Sequence, residues 1–278
     1  MTAEAPRSIS LPDLSSGVLR SQRFASLGWL KHGITSRVDS AIPGHGNVGY
    51  GPPRDRGAAW LTRQAWCRAL DVDPFRLVAI RQVHGNDVLL VDTSHAGSGG
   101  PPGAPLVGDA DALITCTPGL PLMTLHADCQ PILFADTRRG AVGVAHAGWR
   151  GVVTDIAGAT VSAMKTAFGS DPQDIWAFLG PAIGVECYEV GEEVIDAWED
   201  EMGTATASQA VLRGKPRPHF DLTVANRSLL ERAGVRPEHI EEVATCTKCR
   251  RHSSFSHRGQ GPSTGRFAAL IATEKAPR

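Results

Sequence analysis

Apolar positions along this chain follow two rhythms. In "AAWLTRQAWCRALDV" (residues 58–72), Trp60, Ala65 and Leu70 recur at helical spacing, which predicts an amphipathic helix. "PILFADT" (131–137) and "GAVGVAHAG" (140–148) are short apolar runs separated by two arginines, with the Asp and Gly that turns favour. They predict a β-hairpin. A turn centred between Thr137 and Arg138 makes residue i face residue 275 minus i, which sets Leu133 opposite Val142 and Cys129 opposite His146.

"FRLVAIRQV" and "DVLLVDT" read as two further strands joined at "HGN", and "RFASLGWLKHGITSR" as strand-like. "HAGWRGVVTDIAGATVSAMKTAFG" runs from a strand through a Gly-bracketed turn into a helix with Val152, Val153, Ile156, Ala159 and Met164 along one side. "GHGNVGYGPPRDRG" and "SHAGSGGPPGAPLVG" are Gly/Pro-punctuated loops, the second either an active-site lid or a tolerated insertion. No repeat or linker divides the chain. Residues 1–22 are expected to form a loosely held leader, 23–273 a single domain, and 274–278 a fraying tail.

At 278 residues the chain can bury a substantial core. Lys plus Arg is 28 against Asp plus Glu at 29, so no global charge recruits nucleic acid or an anionic membrane, and a small-molecule partner is expected. "MTAEAPRSIS" lacks the pattern of a signal peptide, and no apolar run approaches the roughly 20 residues of a membrane span. These features predict a cytoplasmic location. Six cysteines in such a chain read as thiols, ligands or core residues rather than a disulfide framework.

Cys129, directly after Asp128 and three residues beyond His126, is the residue with the most to explain: a core filler, a nucleophile or a metal ligand. Opposed hairpin residues share a face with Cβ atoms roughly 5 Å apart, which suits a thiolate and the His146 imidazole closing on one ion. A one-residue slip would send Cys129 to the other face, and free cysteine is often simply buried. Downstream, a helix start behind glycines with Arg150 in the turn is a ready anion site; plain turn geometry and a surface cation are the alternatives.

"RQVHG", "GDADALIT", "LHADCQPILFAD", "HAGWRG", "GPAIGVECYEVGEEV" and "TGRFAALIA" occur in one order between about residues 47 and 272. In this the chain resembles the YfiH family, also called the laccase-domain or polyphenol oxidase-like family. The resemblance implies a single-domain α/β (α+β) multi-layer sandwich with mixed sheets. It also implies one zinc held by His84, Cys129 and His146, with a coordination position left open as in catalytic sites. The implied activity is purine nucleoside phosphorolysis, with adenosine deamination and methylthioadenosine cleavage beside it. Nucleoside and phosphate are then the partners of a monomer or homodimer, with His84 and Cys129 at the reacting centre. Asp128, next to a ligand, is expected to move protons, Arg63 and Arg150 to contact phosphate, and Arg258 to be a further substrate or phosphate contact. Asn47 stands in a loop expected to close over the nucleoside, and His257 or Arg258 is expected to line the site.

Other readings stand beside this one. Family resemblance also implies peptidoglycan-precursor editing, or copper chemistry; two His and one Cys with a weak axial Met can hold one copper, and Met123 is near enough in sequence to be considered. Against a multicopper oxidase, none of the ten His forms an H-x-H pair. If zinc merely held the fold of a binding module, His126 would be the natural fourth ligand. Cys246, Cys249, His252 and His257 have C-x2-C-x2-H-x4-H spacing, as in a zinc knuckle, yet lie where the family's final loop runs. Cys67 and Cys116 read as core positions and Cys187 as structural. The chain departs from family pattern in lacking an evident Asp after Asn47 and in carrying Glu186 where relatives commonly have Cys.

Overall fold

A computed structural model describes residues 11–38 and 42–274. Its strands are β1 (Leu30–Ile34), β2 (Val78–Ala79), β3 (Val88–Leu90), β4 (Ala112–Thr115), β5 (Leu122–His126), β6 (Gln130–Asp136), β7 (Val142–Ala147), β8 (Ile175–Leu179), β9 (Val211–Leu212), β10 (His219–Phe220), β11 (Ile240–Glu242) and β12 (Phe267–Thr273). The helices are α1 (Gln22–Ala25), α2 (Arg56–Leu70), α3 (Trp149–Val153), α4 (Ile156–Phe168), α5 (Glu192–Met202), α6 (Thr204–Ala207), α7 (Leu222–Arg232) and α8 (His257–Gln260).

Two mixed sheets, ordered β1-β12-β5-β2 and β11-β8-β6-β7-β4-β3, pack face to face, and β9 and β10 form a separate ribbon. Strand alternation explains the layering, because successive side chains point to opposite faces. In β6, Leu133 and Ala135 enter the core between the sheets with Phe267, Ala269 and Ile271 of β12. Ile132 and Phe134 face the other way, into a core with Val161, Met164, Trp198 and Leu229 of α4, α5 and α7. On the far side, Ala268 and Leu270 of β12 meet Trp66 and Leu70 of α2. The result is the expected sandwich, with helices outside two sheets. Because β6 is covered on both faces, all seven of its residues are buried, and its five central residues, Pro131 to Ala135, are continuously apolar rather than alternating.

The predicted helix around Trp60 is α2, started by the Asp55 side chain accepting from Ala58 N. The predicted hairpin also forms, but its register differs: Pro131, not Cys129, faces His146, and Leu133 faces Val144. The loop is longer than the two arginines imply, closing through Asp136 N to Ala141 O and Gly140 N to Asp136 O. A shift of two residues preserves which face each side chain occupies.

Three other expectations are corrected. The runs flanking "HGN" do not pair with each other; β2 joins the sheet of β5 and β3 that of β4. "RFASL" begins as α1, capped by the Ser21 hydroxyl, before β1 starts. The expected helix after His146 is two helices, interrupted where left-handed Asp155 caps α4. Within the stretch expected to be a loose leader, residues 1–10 lie outside the described residues, while Leu14 and Ser21 are buried and Leu19 bridges to Ile34. Glu274 is exposed, and residues 275–278 lie outside the described ones. No helix among the described residues is long and apolar enough to cross a membrane.

Candidate active site

The chain crosses from one sheet to the other three times at the same end of the sandwich, from β2 to β3, from β5 to β6 and from β11 to β12. His84 lies on the first crossing and Cys129 on the second, while His146 lies near the end of β7. The first two crossings turn sharply: His84 has φ 62° and Asp128 φ 89°, values that side chains other than glycine seldom adopt and that concentrate at functional sites. One ligand atom from each of His84, Cys129 and His146 lies within 4.8 Å of the others. The two imidazoles meet edge to face, with ring centroids 4.9 Å apart.

These residues fit a metal ion. His146 Nδ1 is 2.8 Å from Asp111 Oδ1, which leaves Nε2 to face the site, the usual arrangement of a carboxylate behind a metal-binding imidazole. Asp111 Oδ2 accepts from Val83 N and Gly85 N, so the same carboxylate fixes the turn carrying His84. Burial alone would raise the Asp111 carboxyl, but the bonds from His146 and these N–H groups hold it below the ordinary carboxylate value. Burial likewise opposes charge on Cys129 and His146, yet each stabilises the charged form of the other: the thiol is pulled down and the imidazole pushed up. A thiolate is the form of cysteine that binds metal.

Gly148 completes the cradle. Extending the β6–β7 register one step beyond its last pair sets Cys129 across from Gly148. A Cβ on Gly148 would stand 3.0 Å from Cys129 Sγ and 3.1 Å from His84 Cδ2. Among the described residues His126 does not join the group. Its Nε2 pairs with Thr124 Oγ1 at 2.8 Å, its Nδ1 with Cys129 O at 3.2 Å, and its ring stacks on Phe267. Burial, followed by the charge of His146, keeps it neutral far below the usual histidine range. The three-ligand arrangement leaves a position open, against the saturated site expected of a purely structural zinc.

The site opens into a cavity of about 570 Å³, a size suited to a small ligand. Apolar Ile80, Leu125 and Ile183 form part of its wall, and Tyr188, Arg258 and Arg266 supply polar groups. Arg258 lies over the Tyr188 ring and donates through Nη1 to Glu189 O. Burial pushes the Tyr188 phenol up, so it remains a donor. Asp128 also lines the cavity, but each carboxylate oxygen already accepts a 2.6 Å bond, Oδ1 from Thr247 Oγ1 and Oδ2 from Arg258 N. This geometry gives Asp128 a positioning task where the sequence suggested acid/base chemistry.

The expected phosphate contacts separate. Arg258 lines the cavity, but Arg63 does not. Its Nε donates to Val48 O and its Nη1 to Gly99 O and Gly100 O, with the guanidinium 3.7 Å from the Tyr50 ring centroid. It therefore pins both Gly/Pro loops to α2, and the expectation that it binds phosphate is corrected. Arg150 is exposed on the short α3, stacked on Trp149, and is not part of the cavity wall, though its charge reaches Tyr188. Asn47 acts from behind: its Oδ1 accepts from Arg266 N and Gly49 N. Met123 is buried in the core beneath α2, away from the site, which removes it as an axial copper ligand.

The proposed knuckle is also rearranged. Cys246 and Cys249 gather with Cys187, without His252 or His257, and His257 instead lines the main cavity. Cys67 is buried and Cys116 packs against the helix-side core. Asp111, Tyr188 and Arg266 were missed from sequence. The signal for Asp111 was available: "GDADALIT" drives a carboxylate into the start of an apolar strand, where it requires partners.

A family profile described as multi-copper polyphenol oxidoreductase laccase matches residues 32–274. The purine nucleoside phosphorylase YlmD of Geobacillus stearothermophilus is 34% identical over 257 residues, covering 88% of this chain and 94% of that protein. The adenosine deaminase RL5 of an unknown prokaryotic organism is 36% identical over 199 residues, 71% of this chain and 75% of that one. The crystal structure of the hypothetical protein YfiH of Bacillus licheniformis superposes with a TM-score of 0.85 at 32% identity, covering 92% of this chain and 96% of that one.

Proposed function

This chain belongs to the multi-copper polyphenol oxidoreductase laccase family, the YfiH family, and on that premise we propose that it is a zinc-dependent purine nucleoside phosphorylase that also deaminates adenosine. The observation carrying this reading is the His84–Cys129–His146 triangle, open on one side to a cavity with both apolar and cationic walls. Relatives named for nucleoside phosphorolysis and adenosine deamination support the substrate class.

Zinc held by these residues supplies Lewis-acid polarisation and an acidified water. The chain supplies the rest. Ile80, Leu125 and Ile183 shelter the purine base from water, and Arg258 and Arg266 receive phosphate, which pairs well with guanidinium groups. Asp128 holds the Arg258 backbone, Asn47 holds that of Arg266, and the Tyr188 hydroxyl donates into the cavity. Asp111 keeps the His146 Nδ1 proton in place so that Nε2 remains a ligand. Small-molecule substrates and a cytoplasmic location complete the reading. Copper is the secondary metal; the absence of further His-rich groups among the described residues disfavours a multicopper oxidase.

Purified protein incubated with adenosine or inosine at graded phosphate concentrations tests the reading, with products separated by chromatography. Release of base that rises with phosphate, and disappears in Cys129→Ser, is expected. Turnover unaffected by phosphate would overturn phosphorolysis, and equal activity in the variant would remove Cys129 from the reaction.

A further inference from the structure

Cys187 lies in the turn of residues 185–187, and Cys246 and Cys249 lie in the segment between β11 and α8. These three side chains, 59 or more residues apart in two places of the chain, converge: their sulfurs all fall within 4.8 Å, and those of Cys187 and Cys249 are 3.4 Å apart. Thiolates bound tetrahedrally at about 2.3 Å from one zinc ion stand roughly 3.8 Å from each other, so the observed spacings bracket what a shared ion requires.

Local backbone supports the same arrangement. Cys246 and Cys249 occupy a C-x2-C turn in which Arg250 N donates to Cys246 O. N–H groups of Gly184 and Cys249 point at the Cys246 sulfur. Gly184 lets the two segments approach, since a Cβ there would lie 3.1 Å from Cys246 Cβ and 3.4 Å from its sulfur. All three cysteines are free thiols, and Cys249 is exposed, leaving the fourth coordination position to solvent.

We propose that Cys187, Cys246 and Cys249 form a second metal site, a tris-thiolate centre for Zn²⁺ that clasps residues 182–188 to residues 246–258. The clasp has a task at the first site. The 182–188 segment brings Ile183 and Tyr188 to the cavity, and the 246–258 segment brings His257 and Arg258 and sends Thr247 to Asp128. Holding the two together fixes that wall without contributing a ligand to the reacting centre. This inference does not depend on the substrate proposed above.

Zinc per chain, measured by elemental analysis on full-length protein prepared under reducing conditions, tests it. Unaltered protein is expected to hold two equivalents, Cys129→Ser one, Cys249→Ser one, and the double variant none. In Cys129→Ser reloaded with cobalt(II), thiolate-to-cobalt charge-transfer absorption is expected in the near ultraviolet and is lost when Cys249→Ser is added. Cys249 is exposed, so its replacement should leave the fold intact; circular dichroism checks this. Equal zinc content in unaltered protein, Cys249→Ser and Cys187→Ser overturns the proposal, as does a Cys187–Cys249 disulfide in the reduced preparation. Retention of both equivalents in Cys129→Ser, with one lost in Cys249→Ser, would remove the first site's ligand set and leave this one standing.

Discussion

Asp111 and His146 share a buried hydrogen bond of 2.8 Å, and the other oxygen of Asp111 holds the backbone on either side of His84. One carboxylate thus orients two of the three ligands. Replacing Asp111 with Asn keeps its size but loses acceptor capacity, and groups in this role typically contribute 10- to 100-fold in metal affinity. A weakening of about that size is expected in zinc competition against a chromophoric chelator. Affinity unchanged from the unaltered protein would show that the ligands are oriented without Asp111.

Gly148 is predicted to be intolerant of even one carbon. In Gly148→Ala the new methyl would press on Cys129 Sγ at 3.0 Å and on the His84 ring at 3.1 Å. Zinc affinity and turnover are both expected to fall, with little change in melting temperature, because the displaced groups lie at the end of the sandwich rather than in its cores. Thermal melts and metal titration run side by side separate this outcome from simple unfolding.

The two arginines distinguished by the structure should behave oppositely. Arg63 spends its donors on three buried carbonyls, so Arg63→Ala is expected to cost about 3 kcal/mol or more of stability while leaving the KM for phosphate near its original value. Arg258→Ala is expected to raise that KM at least tenfold with a smaller loss of stability. A phosphate KM raised equally by both would restore Arg63 to the binding site.

A histidine outside the site controls acid stability. His32 is buried beneath α1, its Nε2 accepting from Ser21 N at 3.0 Å, and burial is the main cause holding its pKa at about 4 instead of 6.5. The folded state favours neutral His32. Between pH 6.5 and 4 the unfolded chain therefore takes up a proton that the folded chain refuses, and stability falls with pH by roughly 3 kcal/mol across that window. His32→Gln, less stable at neutral pH, should lose less on acidification. Denaturant titrations at both ends of the window check this, and equal acid losses in the two proteins would exclude His32 as a cause.

Much of the layout was legible because patterns with one dominant cause survive folding. α2 was readable from its spacing, and the β6–β7 hairpin from two apolar runs flanking a turn. Cys129 and His146 were paired on a register two residues from the observed one; the correct face survived because side chains alternate with period two. Gly148, the residue across from Cys129, was hidden by that slip. The fate of "HGN" was not legible, since neither adjoining strand carries a mark of which sheet it joins. Arg63 was misassigned because an arginine that satisfies backbone carbonyls looks the same in sequence as one that waits for phosphate. Cys187 could not be joined to Cys246 and Cys249 from spacing, since long-range convergence leaves no local period.

The most direct test of the central claim is phosphorus NMR of the protein turning over inosine in phosphate buffer. A sugar-phosphate resonance growing in step with hypoxanthine, and absent with Cys129→Ser, is the predicted result. Hypoxanthine released while inorganic phosphate stays constant, or no product from the zinc-loaded protein, would contradict it.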